Sequence, residues 1–171
     1  MKLETAITIM GAHNAQAVGV PLAQRYSPDL LLVLPMHINL FYPFVPFDAI
    51  DSACQKLRAI GSKIAPFEIT LRGYGQFERV TYMVPADPAP ILDVFHRIFM
   101  EFPDYPPYRG KFGNDLIPHM TVAIFKDEHS QQNADLPDYG SLSFTVDRLH
   151  VIYGPARQDR PWLTYDVIPL L

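Results

Sequence analysis

Two short segments of the sequence each carry a histidine followed, two positions later, by a side chain that can donate a hydrogen bond. The first segment holds His37 and Asn39, and the second holds His119 and Thr121. Each lies in an apolar run close after a proline. Side chains two positions apart on a β-strand project from the same face. In each segment we therefore expect an imidazole and a donor to point together out of an otherwise apolar strand.

Two imidazoles brought to one cleft are suited to the cleavage of a phosphodiester. The unperturbed pKa of histidine is about 6.5, so near neutral pH one ring can be the free base while the other is protonated. The base would take a proton from the attacking nucleophile, and the acid would give one to the leaving oxygen on the opposite side of phosphorus. The amide of Asn39 and the hydroxyl of Thr121 could donate hydrogen bonds to the non-bridging oxygens, which gain negative charge.

A single segment of this kind, taken alone, is usually a half-buried polar pair with only a structural role. Two copies about half the chain apart instead favour two similar lobes that each contribute one strand to a shared cleft. A metal site is not favoured, because no Asp or Glu accompanies the two histidines at ligand spacing. We therefore predict a site with no metal and no cofactor.

At these residues the sequence resembles the two-histidine (2H) phosphoesterase superfamily, in its 2′-5′ RNA ligase and cyclic nucleotide phosphodiesterase branch. That family is defined by two His-x-Thr/Ser motifs, each followed by an apolar residue. Segments 37–44 and 119–122 resemble the two motifs, and the likeness extends to 67–71, 75–77, 80–85 and 103–118. It spans roughly residues 5 to 170. One departure is Asn39, where the family usually has Thr or Ser.

The resemblance implies a bilobal fold with a pseudo-two-fold axis and with both histidines meeting in a central groove. It implies opening of 2′,3′-cyclic phosphates at RNA ends or on nucleotides, opening of an ADP-ribose cyclic phosphate, or cleavage and joining of 2′-5′ linkages. By analogy with family members, we expect His119 to activate water and His37 to protonate the leaving ribose oxygen; the reverse assignment stays open.

Other functions also remain open on the sequence alone. Asn39 can still donate to a phosphate oxygen through its amide, but its departure from the family pattern motivates an alternative function. The alternative is a non-catalytic module of the same fold that binds a nucleotide or an RNA end. A third hypothesis is an interaction protein whose histidines are coincidental.

Aromatic and cationic side chains near the motifs could complete the groove. An aromatic ring there could stack on a nucleobase, as in proteins that bind single strands. On regular strands, Phe41 would share the face of His37, and Phe125 that of His119. Only one or two of the scattered cations are expected to line the groove. The candidates for base stacking or for the rim are Phe41, Tyr42, Phe125 and Lys111, and the further cations considered are Arg72, Arg79, Arg109, Lys126 and Arg157.

The elements that position these motifs are predicted from periodicity and from the prolines, 17 of 171 residues, which mark element ends. Asp48 is predicted to cap a helix that ends at Gly61, and Asp87 to cap a second one. Gly19 and Pro21 are expected to interrupt a helical stretch over residues 14–26. Strands are predicted over 6–10, 37–44, 67–71, 80–84, 119–125, 144–153 and 162–168, and a polar loop over 131–139.

This order of elements favours an α+β fold. We predict two pseudo-symmetric lobes of antiparallel sheet with flanking helices around a central groove. They would form a single bilobal domain over residues 1–171. The lobes are placed at roughly 1–85 and 86–171, with strands that can be exchanged between them.

The composition bounds the remaining classes of function. Lys+Arg 14 against Asp+Glu 18 give a formal net charge of −4, which excludes a strongly basic clamp on extended nucleic acid. Cys54 is the single cysteine, which excludes an intramolecular disulfide and a Cys-based zinc site. The longest apolar run, residues 30–34, is far too short to span a membrane. We expect a cytoplasmic monomer that binds a nucleotide cyclic phosphate or an RNA end.

Overall fold

The computed structural model describes residues 2–171. Short 3-10 turns at Phe47–Ala49 and Pro107–Gly110 accompany the regular elements. No helix in the described part of the chain is long and apolar enough to span a membrane. The strands are β1 (Leu3–Met10), β2 (His37–Phe41), β3 (Phe67–Phe77), β4 (Val80–Pro85), β5 (Met120–Ile124), β6 (Ser141–Val146), β7 (Arg148–Pro155) and β8 (Leu163–Pro169). The α-helices are α1 (His13–Tyr26), α2 (Asp29–Val33), α3 (Ile50–Gly61), α4 (Ala89–Glu101) and α5 (Glu128–Gln132).

The strands form one antiparallel sheet in the order β6-β3-β4-β5-β2-β1-β7-β8. We call β2, β1, β7 and β8 half A, and β5, β4, β3 and β6 half B. The two halves meet at β2 and β5, where Ile38 pairs with Met120. This confirms the predicted α+β class, in which two halves of antiparallel sheet carry flanking helices.

The two halves have matching connectivity. The innermost two strands of half A, β1 and β2, are linked through α1 and α2, and those of half B, β4 and β5, are linked through α4. Strands β7 and β8 follow residue 85 in the sequence but belong to half A with β1 and β2. Each half therefore takes strands from both sides of the predicted lobe boundary. The single bilobal domain over residues 1–171 stays a prediction.

The main core joins both halves of the sheet to the helices. Ile38 of half A and Met83 of half B are fully buried in one cluster with Leu57 of α3 and Phe95 of α4. Burying one such side chain contributes about 1.5–3 kcal/mol. A second, smaller cluster consists of Ala6, Leu34, Ile152 and Trp162.

Helix α1 runs without a break, so its predicted interruption is wrong. A Cβ at Gly19 would lie 2.7 Å from Cγ of Met36 and 3.3 Å from a methyl carbon of Val122. Gly19 therefore serves close packing onto the sheet rather than a turn. Pro21 lies inside the helix on its exposed side. Packing of the buried face of α1 outweighs the low helix propensity of glycine and proline.

The predicted caps differ in outcome. Asp48 does not cap α3: the 3-10 turn precedes the helix, whose N-cap is Ala49 and has no side-chain hydrogen bond. The Asp87 carboxylate accepts a hydrogen bond of 2.9 Å from the N–H of Ala89 at the start of α4. The predicted strand over 144–153 is divided into β6 and β7, and the predicted loop over 131–139 overlaps the end of α5.

Candidate active site

The first histidine motif lies on β2, at the joint between the two halves of the sheet. Ile38 and Leu40 are fully buried in the main core. His37 and Asn39 alternate with them, are half-buried and line a groove on the opposite face. The apolar residues of the strand thus hold the polar pair on the groove side by simple alternation.

The second motif lies beside the first, on β5. Antiparallel pairing of Ile38 with Met120 sets His37 opposite Thr121 and Asn39 opposite His119. Residues directly opposite each other have Cβ atoms roughly 4.5–5.5 Å apart, and diagonal neighbours are roughly 7–8 Å apart. The two histidines are diagonal neighbours, and His119 is near enough to lower the pKa of His37 through its charge.

Both imidazoles are held by the same kind of hydrogen bond. Nδ1 of His37 lies 2.7 Å from the carbonyl oxygen of Pro35, and Nδ1 of His119 lies 2.7 Å from that of Ile117. A carbonyl oxygen only accepts, so Nδ1 carries the proton and donates it in both rings. Each ring therefore keeps Nε2 for proton transfer.

Burial lowers the pKa of both histidines. For His37, desolvation is the largest cause, the bond to the Pro35 carbonyl opposes it, and the neighbouring His119 lowers the pKa further. For His119, desolvation again dominates and the bond to the Ile117 carbonyl opposes it. The neutral form is thus favoured in both rings, which suits a base, while an acid needs a nearby anion that restores its proton.

The donors of the two motifs are free to bind a ligand. Within residues 2–171, neither the Asn39 amide nor the Thr121 hydroxyl makes a side-chain hydrogen bond. Both line the groove. Two preorganised donors facing a concave surface between two imidazoles are suited to the non-bridging oxygens of a phosphate.

A bulge in each motif strand changes which residues reach the groove. On β2, Asn39 pairs with Thr8 whereas Phe41 pairs with Ile7, so Leu40 is an extra residue. Alternation is broken there, and Leu40 and Phe41 are both fully buried. The next residue, Tyr42, lines the groove as predicted.

The bulge on β5 is at the equivalent position. Thr121 pairs with Tyr82 whereas Ala123 pairs with Thr81, so Val122 is the extra residue. Ile124 consequently lines the groove. In both strands the hydrogen-bond donor and the third residue after it line the groove, whereas of the two histidines only His37 does.

The bulges correct two predictions of base stacking. Phe41 is 0% exposed and stacks on Phe95 of α4, with ring centroids 4.9 Å apart. Phe125 is 4% exposed and packs on Tyr26, with centroids 5.1 Å apart. The predicted stacking role of Phe41 and Phe125 is therefore wrong, because regular alternation does not continue through a bulge.

The groove has a volume of about 710 Å³ and is lined from both halves of the sheet and from α2. His119, which is opposite Asn39 at the start of β5, is outside this lining. Two of the predicted cations, Lys126 and Arg157, line the groove, whereas Lys111 does not. The lining consists of Ala6, Tyr26, Ser27, Pro28, Asp29, Leu30, Val33, Leu34, His37, Asn39, Tyr42, Tyr108, Thr121, Ile124, Lys126, Ile152, Arg157, Gln158 and Trp162.

Aromatic rings of half B surround His119. Its ring lies 4.9 Å from that of Phe77 and 5.3 Å from that of Tyr82, measured between centroids. The ring of Tyr82 lies over Gly75 of the neighbouring strand. A side chain at position 75 would occupy the same space as this ring. Gly75 therefore allows Tyr82 to contact the histidine ring, and these contacts contribute to its desolvation.

Sequence reasoning missed the aromatic end of the groove in half A. Trp162 is buried against Tyr42, its indole N–H has no hydrogen-bond partner within residues 2–171, and it lies over Gly154. Tyr108 lines the same end. The only sequence signal for Trp162 is that it is the single tryptophan of the chain, and Tyr108 lies in a proline-rich segment without periodicity.

A buried carboxylate anchors Tyr42 at this end. The Tyr42 hydroxyl donates to Glu4 at 3.0 Å and accepts from the Gln158 amide at 2.9 Å. Glu4 is in turn paired with Arg109. The network joins β1 to the segments after β7 and before β5, and so fixes the Tyr42 ring. Within residues 2–171, no group of three or more His, Cys, Asp or Glu side chains is arranged to hold a metal ion.

Solved structures share this fold. E. coli LigT complexed with 3′-AMP matches with a TM-score of 0.69 and 15% sequence identity over 99% of this chain and 99% of that chain. A crystal structure described as a phosphoesterase matches at 0.66 and 14% identity, over 99% of both chains. The protein TT0787 of Thermus thermophilus matches at 0.59 and 18% identity, over 99% of this chain and 98% of that chain.

The sequence also matches a protein family, although no curated protein matches it. The match covers residues 12–156, which contain both histidine motifs, the bulges and most of the groove. The resemblance noted from the two motifs is confirmed over most of the chain: this protein belongs to the 2'-5' RNA ligase superfamily.

Proposed function

We propose that the protein is a metal-independent phosphoesterase that opens 2′,3′-cyclic phosphates, on nucleotides or at RNA ends, or acts on 2′-5′ phosphodiester linkages. The observation that carries the proposal is the diagonal placement of His37 and His119 on adjacent strands, each with Nδ1 bound to a carbonyl. This arrangement leaves two Nε2 atoms for acid and base catalysis. The 3′-AMP held by LigT supports a nucleotide as the ligand.

For a cyclic phosphate, the reaction is an addition of water across one P–O bond. Nε2 of His119 takes a proton from water as the water oxygen bonds to phosphorus. The bond from phosphorus to one ribose oxygen breaks, and His37 gives its Nε2 proton to that oxygen. The product is a phosphate monoester beside a free hydroxyl. The opposite assignment of the two histidines uses the same geometry.

The remaining groove residues stabilise charge. Asn39 and Thr121 donate hydrogen bonds to the non-bridging oxygens as their negative charge grows. The bound anion also favours the protonated form of one imidazole, against the lowering of its pKa by burial. Substrate binding itself thus prepares the acid.

The test is hydrolysis of nucleoside 2′,3′-cyclic monophosphates, ADP-ribose cyclic phosphate and 2′-5′ dinucleotides in excess chelator. His37→Asn and His119→Asn should each lower kcat by roughly 10²–10⁴-fold, because each removes one proton-transfer group. His96→Asn is the matched control, since His96 is exposed on α4 and should keep wild-type activity. Full activity of either the His37→Asn or the His119→Asn variant would overturn the proposal.

The replacement of Thr or Ser by Asn39 supports one other function, a non-catalytic module that binds a nucleotide or an RNA end. Calorimetric titration with a nucleoside 3′-monophosphate separates the two functions. Binding without turnover of any of the three substrates would establish the module. In that case Asn39→Thr tests whether the missing hydroxyl is the cause.

A further inference from the structure

A series of aromatic rings leads from the groove to the surface. Ring centroids lie 5.6 Å apart for Trp162 and Tyr42, 6.4 Å apart for Tyr42 and Tyr108, and 5.8 Å apart for Tyr108 and Phe112. Trp162 is 6% exposed and Phe112 is 68% exposed. We call these four residues the ring path. Its first three rings line the groove and the fourth lies outside the lining.

The outer part of the ring path is held by its backbone. Tyr108 and Arg109 both have positive φ, 53° and 56°, which non-glycine residues rarely adopt. The Tyr108 N–H donates to the Tyr42 carbonyl at 2.7 Å, and Arg109 pairs with Glu4. These bonds fix a conformation that the chain would otherwise avoid, and strain of this kind is concentrated at binding sites.

Positive charge accompanies the rings. The Lys111 ammonium lies 5.2 Å from the centroid of the Phe112 ring, and Arg157 lines the groove. Neither cation forms an ion pair within residues 2–171, whereas Arg109 is neutralised by Glu4. Asp104 and Asp115 are the exposed acids of the same segment, and they too form no ion pair there.

We propose that the outer end of the ring path, Phe112 together with Lys111, binds the nucleotide next to the reactive one, so that the preferred substrate is the end of a single-stranded RNA rather than a free nucleotide. This inference rests on the proposed function. Proteins that bind single strands without sequence preference combine stacking rings with backbone-neutralising cations. Trp162, Tyr42 and Tyr108 line the groove and are available to the reactive nucleotide, whereas Phe112 and Lys111 lie outside the lining, where a second nucleotide would contact them.

The test compares a nucleoside 2′,3′-cyclic monophosphate with a pentaribonucleotide that ends in the same cyclic phosphate. Wild-type protein should have a higher kcat/KM for the oligonucleotide. Phe112→Ala should raise KM for the oligonucleotide roughly tenfold and move the ratio of the two kcat/KM values towards one, because one stacked base is lost. Phe112→Tyr should restore the ratio of the two kcat/KM values. Lys111→Met should make KM for the oligonucleotide less dependent on salt concentration, because one contact with a phosphate is lost.

Met100→Ala is the matched control, because Met100 is an exposed apolar residue on α4, outside the groove lining. It should keep the wild-type ratio. Equal kcat/KM for both substrates, unchanged by Phe112→Ala, would overturn the ring path and leave the proposed function intact. If neither substrate is hydrolysed, the proposed function fails. In that case, calorimetric titration with a 3′-phosphorylated pentaribonucleotide tests the ring path: Phe112→Ala should weaken binding and Met100→Ala should not.

Discussion

At the scale of single residues, the two histidines make the same kind of hydrogen bond but have different surroundings. Both donate Nδ1–H to the carbonyl two positions earlier, so both present the same tautomer. His37 lines the groove, while His119 lies against the rings of Phe77 and Tyr82. Equivalent chain positions thus give unequal environments, and the proposed mechanism uses this difference to separate an acid from a base.

The pKa shifts predict two different pH profiles. Burial lowers the pKa of both histidines below 6.5, so the bell-shaped profile of kcat/KM, which reports the free enzyme, should be centred below pH 6.5. A bound phosphate raises the pKa of the acid, so the profile of kcat should be centred at higher pH. Steady-state kinetics with a nucleoside 2′,3′-cyclic monophosphate measure both. A kcat/KM profile centred above neutral pH would contradict the environment described for the histidines.

At the scale of elements, the paired bulges decide which aromatic residues meet a ligand. Each motif strand keeps strict alternation as far as the donor, then inserts Leu40 or Val122 and reverses its faces. The inserted residue sends Phe41 into the core and Tyr42 to the groove. Of these two neighbouring aromatic residues, Phe41 therefore contributes to the stability of the core, and Tyr42 is the one that can contact a ligand.

Substitutions at these two positions should show that separation. Phe41→Ala removes a fully buried ring and should lower the free energy of unfolding by about 3–5 kcal/mol, and Phe41→Leu by less. Phe41→Leu should leave KM for a cyclic mononucleotide unchanged. Tyr42→Ala should raise that KM, because its ring lines the groove. Urea denaturation and steady-state kinetics measure the two effects. If Phe41→Leu instead left stability unchanged and raised KM, then Phe41 would face the groove, as it would on a strand without a bulge.

Alternation was enough to predict that His37, Asn39 and Thr121 face the groove, because short-range periodicity decides the face of a strand up to a bulge. The catalytic roles of His37 and His119 stay predictions. The bulge itself depends on pairing with β1 and β4, which no local pattern reveals. The continuity of α1 through Pro21 depends likewise on contact with Met36 and Val122. Trp162 reaches the groove only because β8 pairs with β7 in half A.

At the scale of the whole molecule, the two halves are joined by more than the β2–β5 ladder. Helix α1, which connects two strands of half A, packs on β5 of half B. The main core holds residues from both halves in one cluster. Only the smaller cluster of Ala6, Leu34, Ile152 and Trp162 belongs to half A alone, so most of the core is common to the two halves. The expected monomer stays a prediction.

A shared core predicts one cooperative unfolding transition. Differential scanning calorimetry should give a single peak whose calorimetric and van't Hoff enthalpies agree. Gly19→Val places methyl groups against Met36 and Val122 at the contact between α1 and the sheet, and should lower the Tm of the whole transition. Two separate peaks, with only one displaced by the substitution, would show that the halves fold independently.

Trp162 gives the protein a built-in optical reporter. It is the only tryptophan in the sequence, and its indole lines the groove beside Tyr42. The emission of that single chromophore should respond when a nucleobase enters and should shift to longer wavelength when the chain unfolds. Occupancy of the groove and integrity of the fold can thus be followed in solution without any attached dye.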